Sequence, residues 1–174
     1  MPSYFTYLSS TLPALKWGDA PAFSTEKFLT TCAGFISERE LSLLKDAVSG
    51  AAGKETAQPT LKKWRDFETA LRNELVRLRA ARKHAEEGDF LRRDGYADTW
   101  ITHIAASAYR TPSILEAERF LDSERWSALD ELAAGHYFDI DFLIVYARKL
   151  LLLEKWQGIK KSDGAKILEE ALKK

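Results

Sequence analysis

The chain has 174 residues with 26 basic and 26 acidic side chains, so its formal net charge at pH 7 is +0. Apolar residues make up 45%, enough for a hydrophobic core, and the 30% of charged residues argues against an integral membrane protein. A neutral chain has no overall field that would attract nucleic acid or anionic lipid, so such binding would need a local patch.

The single cysteine, Cys32, excludes an internal disulfide and is typical of a reducing compartment. The start, MPSYFTYLSS, has neither the basic region nor the long apolar run of a signal peptide. The most hydrophobic stretch, FLIVYARKLLLLEKW, is interrupted by Arg148 and Lys149 and falls short of the ~20 apolar residues that span a bilayer. These features predict a cytoplasmic protein.

Residues 1–22 are predicted to be irregular, because Pro13, Gly18 and Pro21 interrupt them. The stretch YFTYL within them leaves a short helix or strand open as the alternative. Helix signals follow. Ser24 is a good N-cap, and Phe23 with Phe28 has the spacing of a hydrophobic staple.

A second helix begins at the capping box of Ser37 and Glu40 and is expected to end at Gly50. A linker is predicted at 50–59. The longest helix then runs from about Thr60 to about Glu87, because apolar residues recur on one face at Trp64, Phe67, Leu71, Leu75 and Leu78.

The remaining helices are marked by caps, prolines and glycines. They are expected from Asp98 to Ala108, from a restart at Thr111-Pro112, over SERWSALDELAAG, from Asp139 to Trp156 before Gly158, and after Ser162. No strand alternation is visible. The sequence therefore predicts an all-α protein, an irregular bundle of about seven helices in a single domain spanning 1–174.

The arginines of the long helix follow a pattern. On a wheel of 100° per residue, Arg65, Arg72, Arg79 and Lys83 lie together at about 60–100° from Trp64, beside the apolar stripe. We call these four residues the basic rail. Glu68 is placed to pair with Arg72 four residues later, Arg77 points away to solvent, and Arg82 falls on the stripe itself.

Three interpretations of this helix are open. The arginine stems could cover apolar surface while their heads pair with carboxylates of neighbouring helices. They could form a protein–protein contact, since arginine is enriched at interfaces. They could bind nucleic acid, although the acidic residues in KKWRDFETALRNE dilute the phosphate-binding charge.

No catalytic, cofactor-binding or metal site is predicted. SGAAGKET lacks the first glycine, the Ser or Thr and the preceding strand of a phosphate loop. His84, His103 and His136 have no metal-ligand spacing, and Cys32 has no base partner. Asp139 and Asp141 could in principle hold a metal, but at the start of a helix they more simply cap it.

Three blocks of the sequence carry a resemblance that spans most of the chain. They are YLSSTLPALKWGDAPAFSTEKFLTTC, LRNELVRLRAAR and FDIDFLIVYARKLLLLEKWQGIKKSDG. Together they resemble a bacterial family encoded within V-type (archaeal-type) ATPase operons. That family is distantly similar to the shaft-cap protein of the V-type ATPase, the all-helical component that joins the rotor shaft to the membrane proteolipid ring.

The chain departs from the shaft-cap proteins in two respects. Those proteins begin with a tyrosine followed by spaced arginines, whereas Tyr7 is followed here by Ser9, Ser10 and Leu12. The chain is also much shorter, so part of the funnel that seats the shaft would be missing. No functional residue is transferred from the family.

The resemblance implies a non-catalytic component of a V-type ATPase that contacts the central stalk or the proteolipid ring, without nucleic acid or cofactor. Its location would be cytoplasmic, or peripheral at the inner face of the plasma membrane through the complex. A helical adaptor unconnected with the ATPase is the alternative. The residues expected at the partner interface are Arg72, Arg77, Arg79, Arg82, Tyr4 and Trp17. For Tyr4 and Trp17 the competing interpretation is core anchoring.

Overall fold

The computed structural model describes residues 5–49, 57–86, 88, 90–92 and 98–161. Within these residues the chain forms seven helices and no strand, which confirms the predicted all-α class. The helices are α1 (Thr6–Thr11), α2 (Thr25–Ala33), α3 (Glu38–Ser49), α4 (Pro59–Lys83), α5 (Thr99–Arg110), α6 (Ile114–Ala133) and α7 (Ile140–Lys161). None of these helices has the combination of length and apolar character that crossing a bilayer requires.

The chain divides into two compact units. Unit 1 comprises Met1–Thr60 and Trp126–Lys174, and unit 2 comprises Leu61–Arg125. Unit 1 therefore holds α1, α2, α3, α7, the first two residues of α4 and the end of α6. Unit 2 holds α5, the rest of α4 and the start of α6.

The core of unit 1 forms around α7. This helix packs against α2 and α3, which also pack against each other. Every residue from 143 to 147 is buried, so α7 is covered on all its faces over more than one turn. The side chains with no exposure in this unit are Phe28, Cys32, Leu44, Ala47, Leu143, Ala147 and Leu150.

Aromatic rings connect the irregular N-terminal segment to this core. The Phe28 ring stacks on Tyr146 with centroids 5.1 Å apart, and Phe23 stacks on Phe28 at 6.5 Å. The Tyr146 hydroxyl donates a hydrogen bond of 2.9 Å to the Pro13 carbonyl. The predicted contact of Phe23 with Phe28 is confirmed, and the segment before α2 is held by both packing and a hydrogen bond.

The predicted N-caps of the first two long helices are confirmed. Ser24 Oγ accepts a hydrogen bond of 3.2 Å from the Lys27 amide at the start of α2. Ser37 and Glu40 form the reciprocal capping box: the Ser37 amide donates to Glu40 at 2.9 Å, and the Glu40 amide donates to Ser37 Oγ at 3.3 Å. These contacts satisfy amides that the helix itself leaves unpaired.

A carboxylate from α7 adds a long-range cap to α2. Glu154 Oε1 accepts from the Thr25 amide at 2.8 Å, and its Oε2 accepts from the Thr25 hydroxyl at 2.5 Å. Thr25 is only 5% exposed. The Glu154 charge therefore lies at the positive end of α2 and fixes that helix against α7.

Unit 2 has its own core between α4, α5 and α6. Ala70 and Leu71 of α4 meet the buried face of α5 and Leu121 of α6. The α5 residues in this cluster are Ile101, Ile104, Ala105 and Ala108. Phe67, Leu75 and Leu78 pack against it, so the apolar stripe predicted for the long helix is the face that this unit buries.

The long helix is shorter than predicted, because it ends at Lys83 and not near Glu87. His84 has a left-handed backbone with φ of 52°. The Ala85 amide bonds to the Ala80 carbonyl at 3.1 Å, and the His84 amide bonds to Ala81 at 3.4 Å. This is a Schellman ending in which histidine takes the place usually held by glycine.

Two predicted breaks do not occur. The restart at Pro112 and the separate helix over SERWSALDELAAG are one continuous helix, α6, whose cap is Ser113 with a hydrogen bond of 3.3 Å from the Glu116 amide. Ser123 Oγ bonds to the Phe120 carbonyl at 2.7 Å within the helix, and so does not cap a new one. Similarly, α7 continues through Gly158 to Lys161.

The N-terminal segment contains a six-residue helix, α1, so the short-helix alternative for YFTYL applies within the predicted irregular region. The predicted linker lies outside the described residues from 50 to 56, and Pro59 already belongs to α4. The predicted end at Gly50 and the helix after Ser162 also lie outside them. The single-domain organisation stays a prediction.

Replacing Glu154 by alanine should destabilise unit 1. The buried Thr25 amide and hydroxyl would lose their acceptor, which costs roughly 1–3 kcal/mol for a buried polar group. Urea unfolding followed by circular dichroism measures this change. Glu131→Ala, on an exposed face of α6, is the matched control and should change the free energy of unfolding by less than about 0.5 kcal/mol. Equal effects of the two substitutions would contradict the capping role of Glu154.

Unfolding should also become easier at alkaline pH. Burial raises the pKa of the Cys32 thiol from 9.0 to about 12, and that of the Tyr146 hydroxyl from 10.0 to about 12. The folded state therefore keeps protons that the unfolded chain loses, so this stability is complete below pH 9 and falls as the pH rises towards 12.

Urea unfolding at about pH 8 and about pH 10.5 should differ by on the order of 2 kcal/mol through Cys32 alone. In Cys32→Ala the protein is less stable at both pH values, but the difference between them is smaller. A thiol reagent should label Cys32 only on unfolding, because its side chain has no exposure. Rapid labelling of the folded protein would contradict the buried position.

Candidate functional site

The arginines of α4 divide into an inner and an outer pair. Arg72 and Arg77 are half-buried, whereas Arg79 and Arg82 are exposed. Among the described residues, Arg79 and Arg82 form no hydrogen bond or ion pair. We call Arg79 and Arg82 the exposed arginine pair. Because they are three residues apart near the end of α4, their guanidinium groups lie on neighbouring positions of the helix surface.

Arg72 does not pair with Glu68 as predicted. Its Nη1 donates a hydrogen bond of 2.9 Å to the Phe90 carbonyl, in the segment that follows α4. Glu68 instead accepts a hydrogen bond of 2.8 Å from Nε of Arg125 in α6. The packing of α6 beside α4 in unit 2 brings Arg125 to Glu68, and spacing along α4 alone does not reveal this partner.

Arg125 is the centre of an ion cluster in unit 2. It also pairs at 2.8 Å with Asp122, whose side chain is 1% exposed, and lies 3.8 Å from Glu118. Burial lowers the pKa of Arg125, but the charges of Glu68 and Asp122 outweigh this effect and raise it. This cluster supports the first interpretation, internal pairing, for an arginine of α6 and not for the basic rail.

Arg77 and Arg82 both differ from their positions on the wheel. Arg77 is less free than predicted, since its Nη1 forms an ion pair with Glu74 and its side chain is 40% exposed. Arg82 is expected on the buried stripe, but Ala80 is the last buried residue of α4 and all residues from 81 to 83 are exposed. The stripe stops being covered before the helix ends, so Arg82 faces solvent.

Asn73 is the residue that the sequence analysis missed. Its side-chain Nδ2 donates to the Arg92 carbonyl at 2.8 Å, and its Oδ1 accepts from the Arg92 amide at 3.0 Å. Asn73 lies opposite Trp64 on the wheel, yet it is only 1% exposed. The segment after α4 returns along this helix and covers it, with both backbone groups of Arg92 held by one carboxamide.

Trp17 and Tyr4 are the predicted contact residues of the N-terminal segment. Trp17 is half-buried in unit 1, with its ring 5.6 Å from Trp126 and 6.5 Å from Trp156. Lys149 places its ammonium 4.9 Å above the Trp126 ring. These contacts support core anchoring for Trp17. Tyr4 lies outside the described residues.

One group of described side chains could offer ligands to a metal ion. Ligand atoms of His136, Asp139 and Asp141 lie within 4.8 Å of one another. The carboxylates also have structural roles: Asp139 Oδ1 caps α7 by accepting from the Phe142 amide at 3.0 Å, as predicted. His136 Nδ1 lies 2.6 Å from Asp139 Oδ2, a distance typical of a direct hydrogen bond.

Asp141 serves the start of α4. Its Oδ1 accepts hydrogen bonds from the Gln58 amide group, at 2.5 Å, and from the Thr60 hydroxyl. Gln58 and Thr60 are both buried. The two aspartates of DID thus organise the beginnings of two helices in unit 1, which agrees with the structural interpretation of this motif.

Comparison with known proteins gives one match. The family model described as "Protein of unknown function (DUF2764)" matches residues 101–174, which is under half of the 174-residue chain. The match includes most of α5 and all of α6 and α7. No curated protein and no solved structure matches the chain.

Replacing Asn73 by alanine should release the return segment from α4. The loss of two hydrogen bonds to a buried partner costs roughly 1–3 kcal/mol. Amide hydrogen exchange should accelerate at Arg92, since the amide loses its acceptor. Lys62→Ala, at an exposed position of the same helix, is the control and should leave exchange at Arg92 unchanged. Unaltered exchange in Asn73→Ala would refute this anchoring role.

Proposed function

We propose that the protein is a non-catalytic component of a bacterial V-type ATPase, either similar to the shaft cap or accessory to it, which couples or stabilises the central stalk through protein–protein contacts. It acts on the cytoplasmic side and reaches the membrane only through the complex. The observation that carries this proposal is the exposed arginine pair on α4. The resemblance of three sequence blocks to the operon family supplies the identity of the partner.

The chemistry of the exposed arginine pair supports a protein contact. Arginine is enriched in interfaces because its planar head makes several directed hydrogen bonds to carboxylates and carbonyls. The Schellman ending at His84 and the anchored return segment hold the end of α4 in one conformation. A binding group on a rigid helix loses less conformational entropy when its partner arrives.

The charge distribution supports a protein partner over nucleic acid. Arg77 already pairs with Glu74, and Arg72 is engaged with the Phe90 carbonyl, which leaves fewer cations to contact phosphates along α4. The net charge of the whole chain is +0. A small cluster of arginines on a neutral protein suits a matching acidic patch on another protein.

The first test is an affinity pull-down of the tagged full chain from its native cells, solubilised in mild detergent, with identification of the bound chains. We expect central-stalk or proteolipid subunits of the V-type ATPase. Their absence, in cells shown to contain the assembled ATPase, would refute the proposal and favour an adaptor unconnected with it.

Charge reversal tests the exposed arginine pair. Arg79→Glu with Arg82→Glu should weaken binding to the purified ATPase by at least about tenfold, as expected for interfacial arginines. The matched control is Lys62→Glu with Lys63→Glu, which makes the same change of charge at exposed positions in the first turns of the same helix. Surface plasmon resonance at two salt concentrations provides the comparison. If both double variants bind equally, the contact does not involve the end of α4.

A further inference from the structure

Four aromatic side chains of unit 1 are exposed as two neighbouring pairs. Tyr7 is 70% exposed and Phe35 is 51% exposed, with ring centroids 5.7 Å apart. Tyr137 is 65% exposed and Phe138 is 41% exposed, with centroids 6.4 Å apart. We call these four residues the aromatic patch. The core of unit 1 leaves them outside, and the arginine surface of unit 2 does not include them.

A backbone hydrogen bond brings the two pairs to the same part of unit 1. The Phe5 amide donates to the Phe138 carbonyl at 2.5 Å. Tyr7 follows Phe5 by two residues, so its Cα lies at most about 11 Å from that carbonyl oxygen. Phe5 itself is 9% exposed, which anchors this junction. The pairs therefore lie within the reach of one ligand.

The size of the patch is unusual for a surface with no role. With about 200 Å² for each aromatic side chain, the four rings expose on the order of 450 Å². This is comparable to the largest apolar patch of a typical monomer, which is often functional. A standard protein interface takes roughly 800 Å² from each partner, so the patch alone is too small for a stable dimer of this chain.

The surroundings of the patch are neutral. No Asp, Glu, Lys or Arg occurs in 5–11 or in 34–37, which carry Tyr7 and Phe35. His136, beside the second pair, is hydrogen-bonded to Asp139. An uncharged aromatic surface of this area matches the apolar stripe of one amphipathic helix, three or four side chains at helical spacing.

We propose that the aromatic patch docks the apolar face of an amphipathic helix from a partner protein. This inference rests on the proposed function for its source, a helix of a V-type ATPase central-stalk subunit. The protein then has two docking surfaces of different chemistry, a basic one on α4 and an uncharged aromatic one on unit 1. Salt separates them, because ionic contacts are screened and apolar contacts are not.

The experiment measures binding of the full-length protein to purified V-type ATPase by surface plasmon resonance over a range of salt. The test variant is Tyr7→Ser with Phe35→Ser, and a second variant, Tyr137→Ser with Phe138→Ser, probes the other segment. Phe90→Ser is the matched control, since Phe90 is 57% exposed and belongs to unit 2. Circular dichroism verifies that each variant is folded.

Each double variant should bind at least about tenfold more weakly than the wild type, while the salt dependence of its affinity stays that of the wild type. Phe90→Ser should bind like the wild type. If the wild type binds and both patch variants bind equally well, the inference is overturned while the proposed function stands. If the wild type does not bind the ATPase, the proposed function falls, and the stalk helix falls with it.

Two further measurements address the other occupants of the patch. Sedimentation velocity at about 100 µM, well above a typical weak dimer constant, should find a monomer. A dimer that the patch variants abolish would overturn the helix as occupant. Binding of the wild type, but not of the patch variants, to vesicles of neutral phosphatidylcholine would overturn it in favour of a lipid surface.

Discussion

Residues 143–147 of α7 are all buried, and this requirement for cover on every side organises unit 1. A helix that is apolar all round has no solvent face, so several other segments must surround it. Helices α2 and α3 supply part of that cover. Polar anchors then fix the cover in one arrangement: Glu154 holds α2, Tyr146 holds the chain at Pro13, and Asp141 holds the start of α4.

Unit 2 depends on different physics. Its helices are amphipathic, and its apolar cluster is complemented by buried polar groups with specific partners. Arg125 is surrounded by carboxylates of α4 and α6, and Asn73 holds both backbone groups of Arg92. Such networks are costly when incomplete, so each satisfied member favours one arrangement of the helices over others.

The surfaces that remain differ in chemistry, and this difference shapes the functional proposals. The end of α4 carries exposed arginines on a rigid helix, whereas unit 1 carries exposed aromatic rings among uncharged residues. Electrostatic contacts mainly steer and select a partner, while apolar contacts hold it once bound. A protein that joins moving parts of a larger assembly benefits from both kinds of contact.

The sequence by itself determined the all-α class, the caps at Ser24, Ser37 and Asp139, and the apolar stripe of α4. These features are local, because a cap or a helical face depends on residues within one or two turns. The end of α4 at Lys83 is also local, but a left-handed histidine is too rare for the sequence to indicate it ahead of Gly88.

Only the tertiary structure decided which α4 side chains are buried and whom they contact. Glu68 meets Arg125 and not Arg72, Asn73 is covered from the side opposite the stripe, and Arg82 is exposed where the stripe is no longer covered. Helical periodicity gives the direction of a side chain from its own axis, but burial depends on the distant segment that arrives there. For the same reason, the aromatic patch emerged only when the fold left its rings without cover.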